Sequence, residues 1–268
     1  MNQEDFKQQI WDYYQTKGRV FPWRETEDPY KIMVSEIMLQ QTQAPRVVPK
    51  YQAFLERFPD LHSLAEAPLA DVLTAWQGLG YNRRAIALQK AAKMVVEEYD
   101  GELPVDQQKL LALPGIGAYT SSAILAFAFN IPTPFIETNI RRVYIHHFFE
   151  DREEVSDTEL LPVIEQTMDK EHPREWYWAL MDYGSTLPKQ IVNPNRRSKH
   201  YTKQSKFQGS NRQLRGAIVR ALTKISRLPI VQLAVELDLP PERIAEAAQA
   251  LEKEGFLEID QDFLQLPS

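Results

Sequence analysis

The chain has 268 residues, 43% of them hydrophobic, enough apolar mass for two or three compact units. It contains no cysteine, which excludes disulfides, thiolate nucleophiles, cysteine-held zinc and iron–sulfur clusters. Its net charge of −6 speaks against a uniformly basic nucleic-acid binder, no apolar run reaches the roughly 18–20 residues of a membrane span, and Met1-Asn2-Gln3-Glu4-Asp5 has no signal-peptide character, so a soluble cytoplasmic protein without membrane contact is expected.

Apolar residues recur at helical spacing through most of the first 190 positions, as in Phe6/Ile10/Tyr13, Val47/Tyr51/Phe54, Leu69/Val72/Leu73/Trp76 and Ala85/Leu88/Ala92/Val95. Prolines 22, 29, 59, 104, 132, 134, 162 and 173 fall between these segments as helix punctuation. The pattern predicts an all-α domain of about eight to ten helices.

Pro22-Trp23-Arg24 offers an aromatic face and a guanidinium beside a turn. These suit base stacking and phosphate binding, although a residue such as Trp23 is more often core. Ser35 to Gln43 then places one carboxylate, Glu36, in an apolar helix that runs on into Gln40-Gln41-Thr42-Gln43. A Glu there is either a surface residue or a buried acid, and a buried carboxyl holds its proton to higher pH. The glutamine amides pair with base edges or form a solvated face. Gly78-Leu79-Gly80-Tyr81-Asn82-Arg83-Arg84 is a second turn with aromatic and basic side chains.

Leu113-Pro-Gly-Ile-Gly-Ala-Tyr-Thr-Ser-Ser-Ala-Ile124 joins one apolar helix to the next through Gly115 and Gly117. Glycines allow positive φ and close backbone approach, and amides before a helix N-terminus seat a phosphate without reading sequence. Pro134 to Val143 puts Glu137 at the start of a helix, with Arg141 and Arg142 one turn on. The helix dipole favours an ionised carboxylate there, as catalytic group or simple cap. One protonated and one ionised carboxyl are the pair that glycosidic cleavage through an oxocarbenium-like state employs.

Between Ser185 and Lys224 stand ten Lys/Arg and no acid, leaving 21 basic against 37 acidic residues elsewhere. The strip reads as a polyanion-binding face or a solvated linker. After Gly209 come helices over 212–225, 228–237 and from Pro240 to about Lys253, then a hairpin around Asp260-Gln261-Asp262. This is a winged-helix pattern. Its third helix carries Glu242, Glu246 and Glu252, too acidic to favour groove reading.

Taken together, Pro22–Arg24, Ser35–Gln43, Gly78–Tyr81, Leu113–Ile124, Glu137–Val143 and Met181-Asp182-Tyr183-Gly184 resemble the helix–hairpin–helix DNA glycosylase superfamily, and within it the MutY-type adenine glycosylases. The resemblance covers about residues 6–184. It implies a two-lobed helical fold, with 1–21 and 131–185 in one lobe and 22–130 in the other. A basic segment, 186–210, and a winged-helix-like domain, 211–268, follow. It implies that Glu36 protonates the flipped base and Glu137 stabilises the sugar cation. Tyr119 stands where the lyase branch has its Schiff-base lysine, and Asn139 is a polar active-site residue. Gln41 and Tyr81 match wedges in the base stack, and Trp23, Arg24 and Leu39 match base-pocket positions. Gln40, Gln43, Leu113, Gly115, Gly117, Thr120, Arg141, Arg196, Arg197 and Lys199 are the further expected DNA contacts. Carbonyls near Gly115 and Gly117 are a candidate seat for a monovalent cation.

The chain departs from that family at three places. The usual aspartate is Glu137. The four cluster-holding cysteines are missing, and the basic segment stands in their place, so no cofactor is expected. The winged helix stands where the family's domain for the opposite base follows. The resemblance thus implies a cluster-free, monofunctional, monomeric, nucleoid-associated glycosylase. It would excise adenine opposite 8-oxoguanine or guanine in mismatched or oxidised duplex DNA. The alternatives are a glycosylase for thymine or uracil opposite guanine or for another deaminated base, and a non-catalytic mismatch or lesion binder.

Overall fold

The structure is a computed structural model and describes residues 2–202 and 208–267. Lys203 and Lys206 of the basic strip lie outside the described residues. Eleven α-helices occupy the region up to Gln190: α1 (Gln3–Lys17), α2 (Pro29–Leu39), α3 (Ala44–Arg57), α4 (Leu61–Glu66), α5 (Leu69–Trp76), α6 (Arg83–Glu98), α7 (Gln107–Ala112), α8 (Ala118–Phe129), α9 (Thr138–Phe148), α10 (Asp157–Thr167) and α11 (Pro173–Gln190). That exceeds the expected number because α4 and α7 span six residues each, too short for a visible apolar period. Pro162 lies inside α10 rather than at its border. Among the described residues, no helix is long and apolar enough to cross a membrane.

The chain divides into two compact units. The first comprises Met1–Glu36, Pro104–Ala112 and Ile116–Lys203; the second comprises Ile37–Leu103, Leu113–Gly115 and Gln204–Ser268. This division differs from the lobes read off the sequence. Residues 22–36, 104–112 and 116–130 group with the first unit; α8 is apolar on all sides and packs against α11 and α7.

In the first unit, Asn2 Oδ1 caps α1 by accepting from Asp5 N at 2.8 Å. Phe6 and Ile10 of α1 are fully buried, and Phe6 meets Tyr144 and Trp176 edge-on at 5.4 and 6.0 Å. Asp182 of α11 is 1% exposed. It accepts from Arg19 N and Nε, both at 2.7 Å, and from both terminal nitrogens of Arg24 at 2.8 and 2.9 Å. The chain entering α2 is thereby tied to α11 by a fully hydrogen-bonded buried anion.

In the second unit, Arg84 plays the corresponding part with opposite charge. It is 8% exposed. It donates to the carbonyls of Ile37, Met38, Gln40, Leu79 and Gly80 at 2.7–3.3 Å. Burial lowers its pKa to about 10, so it remains charged at neutral pH. Its fork joins the C-terminal end of α2 to the turn before α6.

The C-terminal module has helices α12 (Asn211–Leu222), α13 (Ile230–Leu237) and α14 (Pro241–Lys253). Its strands are β1 (Arg227–Pro229), β2 (Glu258–Asp260) and β3 (Phe263–Gln265), antiparallel in the order β1-β3-β2. The hairpin is as expected. β1 replaces the first residues of the expected second helix, since Leu228 pairs with Leu264 and both are fully buried.

Replacing Asp182 by Asn keeps the volume but removes the charge and turns an amide donor toward two guanidiniums. We expect a loss of about 3–5 kcal/mol, read as a lowered urea midpoint with an unchanged m-value. A loss under about 0.5 kcal/mol, the size of a surface change, would remove this anchor from the account.

Candidate active site

Helix α2 is buried without interruption from Ile32 to Met38, and Glu36 is the one ionisable group in that run. It is 3% exposed. Its Oε2 accepts the Tyr119 hydroxyl at 2.6 Å. Burial raises the Glu36 pKa to about 7 against the opposing effect of that bond, and the charge of Glu137 raises it further. Tyr119 comes from the first turn of α8, directly after the hairpin, where its ring meets Phe135 edge-on at 5.6 Å. Burial and both carboxyls push its phenol well above the ordinary range, so the hydroxyl is a fixed donor.

Glu137 is the N-cap of α9. Its Oε1 accepts from Asn139 N at 2.6 Å and Ile140 N at 2.9 Å, and its Oε2 from Asn139 Nδ2 at 3.3 Å. Burial raises its pKa as well, while those amides and Arg142 lower it. Glu137 retains partial exposure and faces several donors, whereas Glu36 has one. Glu137 is therefore the first of the pair to ionise, and its charge keeps the proton on Glu36. The helix terminus does not by itself leave Glu137 unperturbed, as the sequence reading expected, because burial opposes it.

Two residues of this site were noted in the sequence without a role being given to them. Arg142 is buried and donates to Asn139 Oδ1 and to Gly184 O, both at 2.7 Å, and to Asn193 Oδ1 at 3.1 Å. Gly184 lets α11 approach α9: a Cβ there would lie 2.4 Å from Asn139 O. A glycine inside an apolar helix was the available signal.

The first unit thus brings together Glu36, Tyr119, Glu137 and Asn139, with Arg24 in electrostatic reach of Glu36. Trp23 is 6% exposed and stacked on Phe21 at 4.9 Å, and Arg24 is locked to Asp182. Thr120 is 2% exposed inside α8. Arg141 forks onto Asp157 at 2.7 and 2.8 Å. Arg197 is a strap to the carbonyls of Ile145, Phe149 and Glu150. Arg196 and Lys199 remain exposed.

The other expected contacts, Gly117 of the first unit apart, lie in the second unit. Leu39 ends α2, so the glutamine run forms a turn rather than continuing the helix. Arg84 takes the carbonyls at that helix end. Gln41 is exposed at φ 55°, Gln43 is the residue before α3, and Gln40 Nε2 donates to Gly115 O at 3.4 Å. Leu113 is buried. Gly115 has φ +80°, and a Cβ there would lie 2.8 Å from Ala87 Cβ. Gly117, the N-cap of α8, is extended rather than left-handed, with open space around its Cα. Tyr81 is half-buried at φ 48°. Among the described residues, no group of three or more His, Cys, Asp or Glu is placed to hold a metal ion.

The chain is similar to known proteins. Residues 34–162 match the HhH-GPD superfamily of base excision DNA repair proteins. The adenine DNA glycosylase of Mycobacterium tuberculosis (strain ATCC 25618 / H37Rv) is 32% identical over 253 residues, covering 85% of this chain and 80% of that one. This chain belongs to the HhH-GPD superfamily. The adenine DNA glycosylase of Buchnera aphidicola subsp. Baizongia pistaciae (strain Bp) is 37% identical over 184 residues, which is 68% of this chain but 52% of that protein. The chain thus spans about half the length of that relative. A solved thermostable thymine-DNA glycosylase superposes with a TM-score of 0.64 at 25% identity, covering 72% of this chain and 90% of its own. The superfamily's helix–hairpin–helix glycosylase architecture is therefore the fold of this chain.

The buried acid has a consequence for stability. The unfolded chain gives up the Glu36 proton near 4.5 and the folded chain near 7. Between those values the folded state binds more protons, so stability falls as pH rises, by on the order of 3 kcal/mol in all. Glu36→Gln removes this dependence. Urea unfolding at about pH 5 and pH 8 should show the variant gaining on the parent mainly at the higher pH. An equal change at both would place the titration elsewhere.

Proposed function

We propose that this chain is a monofunctional DNA N-glycosylase that removes adenine mispaired with guanine or 8-oxoguanine. The observation that carries the reading is the charge-coupled pair: a buried Glu36 that keeps its proton to about pH 7 beside a Glu137 held by helix amides. The names of the relatives favour adenine.

In the reaction, the target nucleotide leaves the stack at a cost of a few kcal/mol, least at a mismatch. Tyr119 holds Oε2 of Glu36, which leaves Oε1 to carry the transferable proton. That proton passes to a ring nitrogen of the base as the bond from the sugar carbon breaks, its electron pair leaving with the base. Glu137 faces the resulting cation as a carboxylate. Water adds to the sugar carbon, its proton returns to Glu36, and an abasic site remains. Tyr119 offers no amine, so no Schiff base forms at that position.

Four thiolates would be needed for the family's cluster, and the chain has none; the donor set does not fit it, and no step runs through it. The segment after α11 is instead fastened by protein bonds. Asn195 Nδ2 donates to Thr138 O at 2.9 Å, and Val155 and Ser198 form a parallel bridge. We read the enzyme as a monomer on duplex DNA, with Arg196 and Lys199 as phosphate contacts.

Single-turnover cleavage of duplexes with adenine opposite guanine or 8-oxoguanine, followed by alkali, tests the activity. Glu36→Gln should slow release by roughly 10²–10⁴-fold with duplex binding little changed. The parent rate should fall about tenfold per pH unit above pH 7. Full rate in the variant, or no release by micromolar parent, overturns the assignment. Release of thymine or uracil opposite guanine instead would move the substrate. Neutralising Arg196 and Lys199 together should reduce the salt slope of binding by about two; an unchanged slope removes them from the interface.

A further inference from the structure

The turn before α6 is strained. Gly78 and Gly80 have φ of 93° and 73°, and Tyr81, which has a Cβ, stands at φ 48°. A tyrosine persists in the left-handed region only where its surroundings over-determine it. From within the turn's own layer, Arg84 donates to Leu79 O and Gly80 O, and Trp76 Nε1 donates to Gly80 O at 3.2 Å. These fix the backbone, and the Arg84 guanidinium carbon also lies 5.6 Å from the Tyr81 ring centroid. They do not fix the Tyr81 hydroxyl.

The C-terminal module supplies that contact. Arg212 Nη1 donates to Tyr81 Oη at 2.5 Å, with its guanidinium carbon 5.3 Å from the ring centroid. Two more contacts bracket the turn. Gln77 Nε2 donates to Thr223 Oγ1, and Arg83 pairs at 3.0 Å with Glu254, which also holds Arg215 at 2.7 Å. Arg212 opens α12 and Thr223 ends it, so one helix grips the turn at both ends. The acidic α14 contributes Glu254 just beyond its last turn, facing arginines of its own unit.

We propose that the winged-helix module is an internal brace for the aromatic turn, and that Arg212 is the positioning residue that presets Tyr81 for entry into a duplex. The module then acts on DNA through residues 77–83 and does not read bases itself. This rests on the glycosylase reading, because it takes a strained, half-exposed aromatic turn as the element that meets an opened duplex.

The test is a double-variant cycle on the full chain, read as binding. The probes are a duplex with one tetrahydrofuran abasic analogue and the matched duplex, so no turnover is needed. Arg212→Ala should weaken binding to the analogue duplex by roughly three- to tenfold. In a Tyr81→Ala background the same change should cost almost nothing more, and the salt slope should stay that of the parent. A phosphate contact by Arg212 gives the contrary result: equal losses in both backgrounds and a slope reduced by about one. That outcome overturns the brace and leaves the glycosylase reading standing. Equal parental affinity for the two duplexes removes that reading, and the brace with it. Urea midpoints of each variant guard against partial unfolding, and the pH profile of base release should be unmoved by Arg212→Ala.

Discussion

A carboxyl group with 3% of its surface exposed, set among Ile32, Met33, Ile37 and Met38, is costly to ionise. Much of the first unit is arranged around that cost. The single donor given to Glu36 is a phenol that cannot easily ionise itself. One hydrogen bond orients the acid without stabilising its charged form enough to cancel burial. A second donor would push the group back toward an ordinary carboxylate. The acid is therefore made by restraint in hydrogen bonding as much as by apolar packing.

Where the fold does bury fixed charge, it surrounds it with hydrogen-bond partners, Arg84 Nε alone of these groups staying unpaired. Asp182 receives four donors from Arg19 and Arg24, and Arg84 has five carbonyl partners. Each joins segments far apart in sequence, Arg24 to α11 in one unit and the end of α2 to the α6 turn in the other. Buried ions of this kind add little net stability, but they penalise any arrangement that parts them. They fix the two flanks of α2, which carries Glu36.

The two acidic positions were more legible in the sequence than the contacts that hold them. A lone acid in an apolar helix and a glutamate opening another are local patterns, and both positions entered the site. The role of Tyr119 came only from resemblance, since no spacing rule links it to a residue 83 positions earlier. Arg84 was legible as an arginine after a turn; its carbonyl partners lie up to 47 positions away, and no window reports them. Arg141 and Arg197 were expected as DNA contacts for the same reason, and each is engaged with its own chain. Strand β1 escaped because three residues, one a proline, show no alternation until β3 pairs with them.

The glutamate in the aspartate position finds its physical account in the cap. A glutamate reaches the N–H groups of its own helix start by folding its longer side chain back over the first turn. Here Oε1 meets two amides, at 2.6 and 2.9 Å. The extra methylene is consumed in that fold-back, and the carboxylate is fixed by the backbone rather than by a flexible tether. Asn139 then clamps Oε2, Arg142 clamps Asn139, and Gly184 gives α11 the room to clamp Arg142. A chain of contacts this short transmits a displacement at residue 184 directly to the carboxylate. The longer residue is tolerated because three successive partners, each in van der Waals or hydrogen-bond contact with the next, leave it a single place to lie.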